Sequence, residues 1–334
     1  MLSFFVLIFM LSLLAIYVIR RYARVWGLID IPNQRSIHIS SMPKGAGIAF
    51  FIALVLAFFV FYVEIFFMYH WTIMAISLVF IIGLMDDNYT MSVKAKFIVI
   101  AFSTLLLSFD ALIIQELGSF FGVPIRLFWL ALPFTIFVVA GFTNALNLID
   151  GLDGLATVIS LIILGAFLWL GYVHEDSFIF IVSLTCIATL LAFLCFNWSP
   201  ASIFMGDSGS LLLGFTMALL SIESLAYIPA IAILYIAAIP ILDTLVVMLR
   251  RKYQGKGLCV ADSCHLHHIV QYYFQGNTIK TVLFLGMIQS IYTCIGLQLL
   301  KGIDQGLWLC IFIVNIVLLY RTIQWTIKKE KIIC

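Results

Sequence analysis

Charge is what this chain of 334 residues has least of: Asp, Glu, Lys and Arg make up 10% of it, against 64% hydrophobic residues. A soluble domain carries roughly a quarter charged residues. With a mean hydropathy of +1.18, the chain has too few polar side chains to cover itself in water, so the bilayer must be its solvent. It also lacks a basic stripe on any folded soluble segment, which argues against nucleic acid as a partner. The seven cysteines include no CxxC pair and lie mostly in apolar runs. That excludes a disulfide framework and says little about redox compartment. No internal repeat or low-complexity tract is present. Residues 1–19 have no basic stretch ahead of them and no small-residue cleavage site. They are expected to be a retained first span rather than a removed signal peptide.

What the chain has instead is long apolar runs. A spanning helix needs about 20 mostly apolar residues. By that measure about eleven spans are expected, near 1–19, 45–68, 71–85, 95–113, 127–143, 155–173, 177–196, 208–222, 227–248, 281–299 and 305–325. Unbroken runs of this kind exclude barrel strands, which would alternate. The expected fold is an all-α polytopic membrane protein, with residues 1–334 forming a single integral membrane domain. An odd number of spans puts the termini on opposite sides. Sixteen of the eighteen Lys and Arg residues then fall in the loops after odd-numbered spans and at the C-terminus, leaving Arg126 and Lys301 on the other side. The positive-inside rule makes the first set cytoplasmic. The N-terminus is expected outside and the C-terminus in the cytoplasm.

The same sorting brings the unusual polar clusters to the cytoplasmic loops near 20–44, 86–94, 144–154, 197–207 and 249–280. The opposite loops hold Glu64, Asp110, Glu116, Glu175, Asp176, Glu223 and Asp304, scattered, which read as solvated groups without a role. In the first inner loop Arg35, His38 and Lys44 are donors, and Gly45 and Gly47 let backbone approach a ligand. A phosphate suits that mixture; a basic juxtamembrane loop attracted to anionic lipid is the plainer account on the positive-inside rule alone. Asp86 and Asp87 close an apolar span, where paired carboxylates need a cation and can act as metal ligand or base. A hydrated helix end neutralised by Lys94 and Lys96 is the plainer account. Asn147, Asp150 and Asp153 recur at i, i+3 spacing, as one face of a helix end would, and suit hydroxyls, a nucleobase or a metal. A polar turn explains the intervening glycines. Asn197 and Asp207 bracket the fourth loop, with Asp207 at a helix start that favours anions and is itself an N-cap residue. The fifth loop carries Arg250, Arg251 and Lys252, then His265, His267 and His268. Cys259 and Cys264 suggest zinc, but the spacing fits no common zinc pattern, and imidazoles with cations read better as donors to a diphosphate. Five polar loops on one membrane side are most simply one site for metal-assisted phosphoryl chemistry.

Two other classes fit part of this pattern. A secondary transporter places ionisable residues near the midplane, often in broken helices and inverted halves; here the acids gather at one side and no paired halves are seen. An intramembrane aspartyl protease, suggested by Gly206-Asp207, needs a second Asp within a span, and Asp243 is the only candidate.

The runs Asp-Ile-Pro-Asn-Gln-Arg-Ser-x-His, Asp86-Asp87, Asn144 to Ala156, Phe-Asn197 followed by Phe-Met-Gly-Asp207-x-Gly-Ser, and His265-Leu-His267-His268 together resemble the polyprenyl-phosphate N-acetylhexosamine-1-phosphate transferases. That family includes the phospho-MurNAc-pentapeptide translocase and the enzymes that start O-antigen, common-antigen and teichoic-acid assembly. The resemblance covers roughly residues 27–270, and the His-x-His-His form is closer to the O-antigen and teichoic-acid branch. It implies transfer of a sugar 1-phosphate from a UDP-N-acetylhexosamine to undecaprenyl phosphate, releasing UMP, at the cytoplasmic side of the bacterial inner membrane. It implies Mg²⁺ as cofactor, with Mn²⁺ as an alternative, and leaves a homodimer open. By resemblance Asp207 leads the metal ligands and Asp86 or Asp87 assists with the lipid phosphate. Asn197, Asn147, Asp150 and Asp153 line the nucleotide side, and His265, His267 and His268 contact the diphosphate or sugar. Arg35, His38, Lys44 and Lys96 hold phosphates. Lys44-Gly-Ala46-Gly stands where relatives often have Arg-Gly-Gly-Gly, and Asn88 where a basic residue often follows the paired acids.

Overall fold

The computed structural model describes residues 1–31, 41–255, 265–299 and 301–330. The chain is almost wholly helical, and its helices group into two compact units. The first, residues 1–115 and 127–227, contains α1 (Leu2–Tyr22), a two-residue ladder of β1 (Ile29–Asp30) and β2 (Met42–Pro43), α2 (Gly47–Leu56), α3 (Val63–Met68), α4 (His70–Tyr89) and α5 (Val93–Leu107). The second, residues 116–126 and 228–334, opens with the hairpin β3 (Glu116–Phe120) and β4 (Val123–Arg126). The first unit resumes with α6 (Ala131–Ile149), α7 (Leu155–Val173), α8 (Ser177–Asn197) and α9 (Asp207–Ser224). The second continues with α10 (Ala230–Ile236), α11 (Ala238–Tyr253), α12 (Leu266–Tyr273), α13 (Thr278–Gln298) and α14 (Gly306–Glu330).

Each expected span is helical. Among the described residues, however, only seven helices are long and apolar enough to cross a membrane alone: Leu2–Tyr22, His70–Tyr89, Phe128–Ile149, Leu155–Val173, Ser177–Asn197, Thr278–Gln298 and Gly306–Glu330. The run expected as one span over 45–68 is an apolar helix, Gly47–Phe61, followed by the separate α3.

The span expected over 227–248 is two helices, α10 and α11, bent by 88°. Pro240 supplies the reason. A proline has no N–H for the carbonyl four residues back and clashes with it, at about 3 kcal/mol or more in a helix interior. That carbonyl is Ile236 O, the last of α10. Gln289 of α13 donates to it at 2.6 Å and accepts the Ile239 N–H at 2.9 Å; the Thr293 hydroxyl adds a bond to Ile236 O at 3.2 Å. In lipid, where no water reaches such groups, a break needs this kind of repair.

In the first unit α9 is the central helix, buried along nearly its whole length and packed on α2, α4 and α6. Small residues set these contacts, since they let backbones approach closely. A Cβ at Gly47 would lie 2.2 Å from the Gly209 nitrogen, one at Gly83 2.6 Å from Asp207 O, and one at Gly214 2.9 Å from Thr143 Cα. Gly47 therefore serves helix packing rather than the ligand approach expected of it. The close fit fixes where α9 begins, and so where Asp207 stands.

Four of the seven acids expected to be solvated bystanders have structural hydrogen-bond partners. Asp110 accepts the Thr72 N–H and hydroxyl at 2.7 and 2.8 Å. Asp176 caps α8 through Ile179 N–H and accepts the Tyr227 hydroxyl, both at 2.9 Å. Glu223 accepts the Tyr69 hydroxyl at 2.9 Å. In the second unit Asp304 accepts the Phe121 and Gly122 N–H groups at the hairpin tip, at 3.0 and 2.6 Å.

Candidate active site

Three segments of the first unit bring acids to one place: the last turn of α4, the turn between α6 and α7, and the start of α9. Lys96, in the first turn of α5, joins them. Its ammonium lies 3.0 Å from Asp86 Oδ2 and 2.8 Å from Asp207 Oδ2. Asp86 also accepts the Met91 N–H, which fixes its carboxylate over the turn after α4. Asn147 donates to Asp207 Oδ1 at 3.1 Å and to the Ser210 hydroxyl at 2.8 Å. Asp207 is thus held on one oxygen by an ammonium and on the other by an amide.

Asp87 behaves differently from its neighbour. It is buried, and its two oxygens accept the Asp207 and Ser208 N–H groups, each at 3.0 Å. The N-cap position of α9 is Gly206, which has no side chain to offer, so Asp87 caps the helix from outside. Gly206 is required there: its φ is +74°, and a Cβ would lie 2.7 Å from Asp87 Oδ2. The expectation that Asp207 caps α9 is corrected accordingly. Asp87 is turned into the protein, so of the paired acids it is Asp86 that meets the Lys96 ammonium. The Lys44 ammonium stands 3.8 Å from Asp87.

The i, i+3 face expected of Asn147, Asp150 and Asp153 does not form, because α6 ends at Ile149. Asp150 and Asp153 lie in the turn before α7. Asp153 accepts the Ala201 N–H at 3.0 Å and ties that turn to the loop before α9. Asp150 makes no side-chain hydrogen bond among the described residues. Burial, then Asp207, Asp87 and Asp153, push its carboxyl well above the usual range. Asn197 is 3% exposed. Its oxygen accepts Gly154 N–H and the Thr157 hydroxyl at 3.0 and 3.2 Å, and its nitrogen donates to Ile203 O at 3.1 Å. These contacts brace the loop.

Five acids therefore meet here, and the cations bonded to them among the described residues are Lys44 and Lys96. No three His, Cys, Asp or Glu side chains among the described residues converge tightly enough to hold a metal alone. Mg²⁺ does not ask for that, since it keeps waters and takes one or two carboxylates plus substrate phosphates. Asp86 and Asp207 address one shared cation position, which Lys96 occupies with its ammonium; the donor set fits such an ion.

The histidine motif lies in the second unit. His265 Nδ1 is 2.9 Å from Asp243 Oδ2, and Asp243 Oδ1 accepts the Leu266 N–H at 2.7 Å. His267 is buried beside His265 and His268, with ring centroids 5.5 and 4.2 Å away. Neither of its nitrogens has a partner among the described residues. Burial holds it neutral, its pKa lowered to about 3, and lowers His268 as well. Arg35 and His38, with Cys259 and Cys264, lie outside the described residues. Asp243 is the residue whose place in this group sequence reasoning missed. Its position between Pro240 and three basic residues was the available signal.

The sequence model of the family described as Glycosyl transferase family 4 matches residues 67–225. The chain is 31% identical over 333 residues to a probable undecaprenyl-phosphate N-acetylglucosaminyl 1-phosphate transferase of Bacillus subtilis, covering 95% of this chain and 90% of that one. It is 32% identical over 244 residues to the phospho-N-acetylmuramoyl-pentapeptide-transferase of Lactobacillus johnsonii, covering 69% and 76%. It is 30% identical over 278 residues to the undecaprenyl-phosphate alpha-N-acetylglucosaminyl 1-phosphate transferase of Yersinia pestis, covering 79% and 74%.

Proposed function

We propose, from the premise that this chain belongs to glycosyl transferase family 4, that the Asp86–Lys96–Asp207 group is the centre of a sugar-1-phosphate transferase acting on undecaprenyl phosphate. The acceptor is the one the B. subtilis and Y. pestis relatives are named for. The donor is a UDP-N-acetylhexosamine and the cofactor Mg²⁺, with Mn²⁺ as a substitute. The protein lies in a bacterial inner membrane with this group toward the cytoplasm, which the sixteen-to-two division of Lys and Arg supports. The single observation that carries the reading is one cation shared by Asp86 and Asp207 at 3.0 and 2.8 Å.

The reaction joins two anions. An oxygen of the lipid phosphate forms a bond to the β-phosphorus of the UDP-sugar, and the bond from that phosphorus to the bridging oxygen breaks, so UMP leaves with that oxygen. Asp207 and Asp86 would hold a divalent ion, which would supply charge neutralisation at the diphosphate. Lys96, on leaving the two carboxylates, turns its ammonium to a phosphate oxygen as a point charge. Asn147 keeps Asp207 oriented through its amide, and Asp87 keeps it in place by capping α9. Asp86 is placed to take the acceptor's proton. A lipid phosphate's second pKa is about 6, so that step needs little help near neutral pH. Lys44, Asp150 and Asp153 line the same end of the unit, toward phosphate or nucleotide. Asn197 shapes the loop behind them. His265, His267 and His268 are assigned to the diphosphate or sugar; the two nitrogens of His267, without a partner among the described residues, support this, since buried polar groups ordinarily have partners.

The test is UMP release by the purified protein, supplied with UDP-N-acetylhexosamines, undecaprenyl phosphate and Mg²⁺. Release should require all three. Asp207→Ala should abolish it, a loss beyond about a thousandfold, while the protein is still made and inserted. Near-normal release by that variant would defeat the assignment.

A further inference from the structure

Asp243 takes no part in the site described for the first unit, yet it is 2% exposed and lies within the bent helix pair. A carboxylate so placed is costly unless its oxygens are met. Both are met by the histidine motif: Oδ2 by His265 Nδ1 at 2.9 Å and Oδ1 by Leu266 N–H at 2.7 Å. Two consequences follow from donor and acceptor counting. An ionised carboxylate only accepts, so the shared hydrogen belongs to Nδ1 and the free nitrogen of His265 is Nε2. And α12, which starts at Leu266, has no side-chain cap of its own, so Asp243 satisfies one of its otherwise orphaned N–H groups. That same first turn carries His267 and His268.

One carboxylate therefore sets the ring of His265 and the start of the helix bearing the other two. Its own place is fixed in turn, because Gln289 and Thr293 close the break at Ile236, seven residues before Asp243 in the chain. As a stabilising device alone the arrangement is poor: a buried carboxylate with its polar partners is often matched or bettered by apolar residues of similar volume. We propose that Asp243 is a positioning residue for the histidine group, holding His265 in the tautomer and orientation that present Nε2 to the donor substrate. This rests on the reading that the histidines contact that substrate.

Asparagine separates the two duties of Asp243. Its amide oxygen still accepts the Leu266 N–H, but its NH₂ can only donate, so His265 must lose the contact or change tautomer. In the full-length protein Asp243→Asn should lower kcat/KM by about tenfold to a hundredfold, with the unfolding temperature little changed. Asp243→Glu, which again only accepts, should recover part of that loss. The double variant Asp243→Asn/His265→Ala should lose no more than His265→Ala alone, because Asp243 acts through that ring; additive losses would overturn the proposal. A second readout does not depend on catalysis. In protein labelled with ¹⁵N-histidine, the His265 resonances, identified by their disappearance in His265→Ala, should change tautomer signature in Asp243→Asn. Unchanged resonances would overturn the hold on the ring. If His265→Ala transferred at the wild-type rate while those resonances moved, the hold would stand and the substrate role of the histidines would fall.

Discussion

At the start of α4, Asp110 accepts two bonds from Thr72, a neutral residue; at its end, Asp86 shares an ammonium with Asp207. The two ends of α9 repeat the contrast. Glu223 near its close takes one phenol hydrogen from Tyr69, whereas Asp207 at its opening is held by Lys96 and Asn147 and lies close to three more acids. At one end each carboxylate serves a separate local task, as a cap or a single bond. At the other, acids from three chain segments come together, and Asp150 has no hydrogen-bond partner among the described residues. At the first end, among the described residues, only Glu223 and Asp176 act on one another, and a fold seeking only stability would disperse like charges further than the second end does. Concentrating them makes sense where a cation or a polyanion with its counter-ion is to arrive.

The contrast breaks most readily at Lys96. Lys96→Met leaves Asp86 and Asp207 without their shared cation and removes a phosphate-holding charge, so kcat/KM for UMP release should fall by about 10²- to 10³-fold. A loss smaller than tenfold would mean that the ammonium is only a surface counter-ion.

A smaller effect should appear at Asp150, in stability rather than rate. Its carboxyl titrates well above the usual range, so the folded protein keeps a proton that the unfolded chain releases near pH 4. The stability this gives is full below that pH and is lost as pH rises through the raised value. Asp150→Asn should unfold at about the wild-type temperature at pH 4 and at a higher temperature at pH 8. An equal gap at both pH values would show that Asp150 is an ordinary exposed acid.

The smallest effect belongs to the other end. Tyr69→Phe removes the bond to Glu223 and should cost about 1 kcal/mol of stability, with UMP release unchanged within about twofold. A large loss of transfer there would erase the distinction between the two ends.

Much of this was open to sequence reading because hydropathy and charge are properties of short segments. Every expected span is helical, and Asp86, Asn147 and Asp207 meet as their loops suggested. What was hidden depends on bonds between residues far apart in the chain. Asp86 and Asp87 look alike in sequence, and only the approach of α9, 120 residues later, turns one inward as a cap and leaves the other outward. Asn197 reads as a ligand-facing amide until Gly154, Thr157 and Ile203 are seen to occupy it. The glycines of the first loop suggested ligand approach, but Gly47 meets Gly209 instead. The break between α10 and α11 did carry a local sign, Pro240, within a run otherwise apolar enough to pass as one span.

That break also governs how the second unit can move. A proline bend with loose carbonyl and amide groups works as a hinge, since little opposes a change of angle. Here one glutamine side chain grips both loose ends at once, so swinging α11 would tear two bonds inside a region with no water to replace them. The 88° corner is a bracket, and through it the start of α11 is tied to α13.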